Sequence, residues 1–108
     1  MKFVILMSSD DAAWDALAPA EQACVMEAHS ACERESRAGG HFVTSWRLRP
    51  PAEAGSVVRD AAGAIRAQDG ASLGGGTVID AHSREEAERW AQRLRFIAGE
   101  NEIREVWE

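Results

Sequence analysis

No apolar run in this sequence is longer than Phe3 to Met7, far short of the ~20 residues that cross a bilayer. It is also too short to form the core of a secretory signal, so the expected location is cytoplasmic. Cysteine is scarce: Cys24 and Cys32 stand eight positions apart in one expected helix, about 12 Å along its axis at helical rise. A disulfide needs Cα atoms within ~7 Å, so both are expected as reduced core thiols. No Cys-x-x-Cys or His-x-x-x-His spacing joins them to His29, His41 or His82, so neither a metal site nor another cofactor is expected. A Gly-x-Ser-x-Gly nucleophile elbow is missing too. Clustered Lys and Arg are lacking, and the net charge is −6. Phosphate backbones are bound chiefly by basic residues, so nucleic acid is excluded as a partner.

What is present fits one domain over residues 1–108. Apolar residues make up 45% and charged residues 28%, an ordinary globular mixture. A chain of this length buries only roughly 60–70% of its unfolded surface, so sharing a face with a second copy would help it.

Residues 2–8 read as a strand ending at Ser9-Asp10-Asp11, followed by a loop and one helical turn carrying Trp14 and Leu17. Pro19 opens a helix that runs to Ala38 and stops at Gly39-Gly40. Val25, His29, Cys32 and Ser36 form one stripe of that helix, while Glu33, Arg34 and Arg37 are expected in water. His41–Leu48 is a second strand. Ser56–Arg59 and Ala64–Gln68 flank a hairpin turn at Asp60–Gly63. Asp69–Gly76 reads as a glycine-rich loop and Thr77–Ala81 as a strand. Ser83 and Glu86 make a capping box for a helix with Ala87, Trp90, Ala91, Leu94 and Ile97 on one face, ending at Gly99. Ile103–Trp107 is the last strand.

This order is an α+β, ferredoxin-like split βαβ with an added hairpin: an antiparallel sheet with two helices on one face. A sheet wet on its other face would alternate apolar with polar residues. The run Phe3-Val4-Ile5-Leu6-Met7 does not, so both faces are expected to be buried. The economical cover is the same face of a second subunit, giving a homodimer.

The segment Met26–Gly39, with Val57-Val58-Arg59-Asp60, Leu73-Gly74-Gly75, Val78-Ile79-Asp80, Glu86–Ala91 and Ile103–Trp107, resembles the YCII-related family, in particular its DGPF-type branch. The resemblance covers nearly the whole chain and implies a dimeric α/β barrel. Where that branch writes Asp-Gly-Pro-Phe and a longer acidic loop, this chain has Asp69-Gly70-Ala71-Ser72 and passes directly to Leu73. Cys32 stands where the family has an aromatic residue and Ser36 where it has leucine. Both changes should open space beside His29.

His29 is the leading candidate site residue. Its imidazole titrates near neutrality and can serve as general acid or base, and the resemblance implies that role. The alternative is a half-buried histidine bonded to a neighbouring strand. Asp69 and Asp80 are the carboxylates able to orient it, although aspartate is also common in turns. Asp69 is carried as the catalytic partner. Cys32, Ser36 and Trp46 are expected to line the pocket, Trp46 either in the cleft or at the dimer seam; Trp14, Trp90 and Trp107 read as core or seam. The glycine run is expected as a close-packing turn or bulge, and His41 and His82 as solvent-facing. Two functions fit: a cofactor-independent lyase, isomerase or hydrolase acting on a small molecule, or a non-catalytic dimer that binds a small ligand or acts as a regulatory accessory.

Overall fold

The first strand sets the architecture, because its alternate side chains meet two different environments. In the computed structural model, which describes residues 1–8, 11–49, 53, 55–68, 73–94 and 101–107, β1 spans Lys2–Ser8. Phe3, Ile5 and Met7 point to one face and are buried, Ile5 completely, as the two-residue period of a strand requires. Val4 and Leu6 point the other way and are only partly covered.

After a short helix α1 (Asp11–Asp15), α2 runs Pro19–Ala38. Pro19 stands at its start, where a missing N–H costs nothing, and Glu21 Oε1 accepts from the Ala18 N–H at 3.0 Å. Gly40 takes φ 77°, the left-handed conformation that favours glycine. This lets the His41 N–H reach the Ser36 carbonyl at 2.8 Å and turns the chain into β2 (Phe42–Arg47).

The strands β3 (Ser56–Arg59) and β4 (Ile65–Gln68) pair antiparallel as a separate two-stranded sheet. Asp60 Oδ1 accepts from the Ala62 and Ala64 N–H groups, each at 2.9 Å, which fixes their turn. β5 (Leu73–Asp80) follows, then α3 (Arg84–Arg93) and β6 (Asn101–Glu105). The main sheet has the order β2-β5-β1-β6, every pair antiparallel. The chain is thus a mixed α/β domain in which α2 and α3 share one face of a four-stranded sheet.

The core lies between that face and the helices: Phe3, Ile5, Met7, Ile79 and Ala81 from the sheet side, Cys32 from α2, and Ala87, Ala91 and Leu94 from the region of α3. Trp90 and Ile103 close its edges. Ser83 Oγ accepts from the Glu86 N–H at 3.1 Å, and the Glu86 carboxylate reaches back to the His82 N–H at 2.9 Å. The capping box therefore forms one residue wider than its usual spacing. Asn101 Nδ2 donates to the Ala91 carbonyl at 2.9 Å and ties β6 to α3.

Several expectations are corrected. Gly74, Gly75 and Gly76 belong to β5 rather than to a loop. The last strand starts at Asn101 and ends at Glu105, so Val106 and Trp107 follow it, and Trp107 is fully exposed. Cys24 is exposed rather than buried; both cysteines are free. The continuation of α3 through Ile97 to Gly99 lies outside the described residues. Among those that are described, no helix is long and apolar enough to cross a membrane.

Candidate functional site

The stripe of α2 that faces the sheet carries His29, Cys32 and Ser36, spaced at three and four residues so that they lie one above another. Opposite them, β2 and β5 pair Ser45 with Thr77 and Phe42 with Ile79. Residues opposed across a ladder share a face, so these four side chains point at α2. Between helix and sheet lies a cavity lined by His29, Cys32, Glu33, Ser36, Ser45 and Thr77, with Phe42, Ile79, Trp90 and Leu94 as its apolar wall. It has room for about one water molecule.

His29, Cys32 and Ser36 are thus brought together as expected from their spacing. Trp46 is not. It follows Ser45 on β2 and pairs with Gly76, which puts its indole on the opposite face of the sheet, against Gly76. This corrects its expected place in the lining. Asp69 lies outside the described residues. Asp80 does not line the cavity; its Oδ1 accepts from the chain's amino terminus at 3.0 Å. That hydrogen bond and charge hold its carboxyl below the usual carboxylate range.

The carboxylate beside His29 is that of Glu33, one helical turn further along. Expected in water, Glu33 instead accepts from Ser45 Oγ at 3.3 Å and pairs with Arg37 at 3.2 Å. Ser36 Oγ donates to the Glu33 carbonyl at 2.9 Å. Thr77 is buried, and its Oγ1 has no hydrogen-bond partner among the described residues.

The electrostatics follow from burial. Desolvation lowers the pKa of His29, and the nearby Glu33 charge opposes it only in part, so the imidazole is a neutral base at neutral pH. Burial also raises the Cys32 thiol, against the influence of Arg93. Cys32 is therefore a protonated lining group and not a nucleophile.

Glu33, Ser45, Thr77 and Trp90 also belong to the site. A sequence signal existed for two of them: Glu33 is four residues from His29, and Thr77 is two before the apolar Ile79 on the same strand face. Nothing local distinguishes Ser45, because its facing depends on a register shift between Phe42 and Thr44.

His41, expected in solvent, is half-buried in a second polar cluster. Its Nδ1–H donates to the Asp80 carbonyl at 2.8 Å, its Nε2 faces Glu86 Oε1 at 3.3 Å, and its ring centroid lies 5.6 Å from that of Trp90. Among the described residues no group of three or more His, Cys, Asp and Glu could hold a metal ion.

The sheet, the helices α2 and α3 and the niche at His29 define a small α+β protein with a small cavity between helix and sheet. The pattern of the YCII-related domain matches residues 1–108, and the chain belongs to the YCII-related family. Comparison with curated proteins returns no match.

Proposed function

We propose that the protein is a small homodimeric enzyme without a cofactor, in which His29 acts as general base, then general acid, on a small molecule. The observation that carries this reading is a neutral imidazole placed among three hydroxyl side chains at a cavity between helix and sheet. Proton transfer of the lyase, isomerase or hydrolase type needs only such a group within hydrogen-bond reach of substrate. Glu33 is the carboxylate available to orient His29. Asp69, at the start of the segment before β5, is a further candidate, and the reading that this segment is a shortened DGPF-type loop goes with it.

The strand order β2-β5-β1-β6 supports a ferredoxin-like split βαβ with β3 and β4 as the added hairpin. The partly covered outer face, with Val4, Leu6, Val78 and the 38% exposed Trp46, supports pairing of two sheets as a dimeric α/β barrel. A second reading, a non-catalytic ligand-binding or regulatory accessory dimer, is favoured by the small size of the cavity and by exposed apolar side chains such as Val57 and Trp107.

Screening of small acids, esters and carbonyl compounds with the wild type and His29→Asn separates the two. Turnover that His29→Asn lowers by at least a hundredfold, with an unchanged fold, supports the first reading. Turnover that survives the substitution overturns it. Sedimentation of the wild type tests the dimer independently.

A further inference from the structure

We propose that the cavity under α2 is a site for one neutral hydroxyl group. Water occupies it in the resting protein, and the hydroxyl end of a small uncharged ligand occupies it on binding. The inference rests on the reading of the His29 niche as a ligand site and names the chemistry admitted there.

Three hydroxyl side chains line the space, and their protons are not equivalent. Ser36 Oγ–H is committed to the Glu33 carbonyl at 2.9 Å, and Ser45 Oγ–H to Glu33 Oε1 at 3.3 Å. Each serine oxygen therefore keeps lone pairs but has no proton to offer. Thr77 differs. The residue is 4% exposed and its Oγ1 has no partner among the described residues, although buried hydroxyls are nearly always bonded. Of the three hydroxyls it is the one whose proton is left available.

A group that enters must accept from Thr77 and donate to the serine oxygens. Water and an alcohol hydroxyl do both. A carboxylate only accepts, and it would lie beside the Glu33 carboxylate with no Lys or Arg among the lining residues. Arg37 reaches Glu33 with a side chain that is itself largely exposed, so its charge is spent on Glu33 at the helix surface. A methyl group would satisfy neither partner. Room for about one water limits the guest to a single oxygen atom, with any carbon chain outside.

The test compares methanol with formate as probes, because they are alike in size and differ in charge. Amide chemical shifts are followed in wild type and Thr77→Val at constant ionic strength, together with a high-resolution crystal structure of the wild type without probe. We expect an ordered oxygen within hydrogen-bond distance of Thr77 Oγ1, saturable methanol shifts centred on Thr77, Ser36 and Ser45, and at least a tenfold weaker response to formate. Thr77→Val should lose the methanol response. A dry cavity, a formate response equal to that of methanol, or an unchanged response in Thr77→Val overturns the proposal. The wild-type arms decide it even if Thr77→Val does not fold. No readout involves turnover, so a bound oxygen without any enzymatic activity overturns the acid–base reading of His29 and leaves this one standing.

Discussion

The indole of Trp46 lies against Gly76, its partner across the β2–β5 ladder, so closely that a Cβ at position 76 would strike the ring. Gly75 is equally constrained, since its Cβ would meet the backbone carbonyl of Trp46. Gly76 therefore lets an aromatic side chain lie flat on the outer sheet face, and Gly75 lets the β2 backbone come close. They are not there to bend a loop.

Gly76→Ala must displace the indole or separate the strands. Overpacking of this kind costs about 1–3 kcal/mol. The expected result is a lower thermal midpoint with a shifted Trp46 emission. Equal stability of Gly76→Ala and wild type would show that the ring moves without cost.

Adjacent residues of β1 should fail in different ways. Ile5 is fully buried against the helices, so Ile5→Ala should cost about 2–5 kcal/mol in chemical denaturation whatever the protein concentration. Leu6 is on the partly covered face. Leu6→Glu should keep the secondary structure, seen by circular dichroism, and lose self-association in sedimentation. A Leu6→Glu protein that sediments as the wild type does would place the subunit contact elsewhere.

The local signals in the sequence were sufficient for α2, because Pro19 and Gly39-Gly40 act within a turn of the helix ends they mark. They were sufficient for β1 too, whose unbroken apolar run exceeded what one covered face needs. Gly75 and Gly76 read locally as a loop, whereas what demands them is Trp46, some thirty residues earlier. Glycine in isolation carries no sign of a distant ring. The His29 stripe was legible from helical spacing alone. The strand half of the site was not, because a register shift in β2 decides that Ser45 faces inward while Trp46 faces outward.

His29 gives the protein a pH dependence on the acid side of neutrality. Burial lowers its folded pKa below the ordinary 6.5. Above 6.5 the folded and unfolded chains both hold it neutral, and it contributes nothing to the slope. Between 6.5 and its lower folded value the unfolded chain binds the extra proton, so stability falls as pH falls. Below the folded value both forms are protonated and the slope vanishes again. Thermal midpoints of wild type and His29→Gln measured from pH 8 to pH 5 should therefore diverge, with the variant losing less on acidification. Parallel curves would mean that His29 titrates as it does in water.

Glu86 works in the opposite direction and in a lower window. Its carboxylate accepts from the His82 N–H at 2.9 Å and faces His41 Nε2 at 3.3 Å. The backbone hydrogen bond first, and then the charges of His41, His82 and Arg89, hold its pKa below the usual 4.5. A depressed carboxylate contributes stability that is complete above the unfolded value and is lost as pH falls through the folded one. Glu86→Gln removes that contribution. The gap in thermal midpoint between wild type and Glu86→Gln should shrink as pH falls below 4.5. A gap that persists undiminished into acid would assign Glu86 a packing role, independent of its charge, at the start of α3.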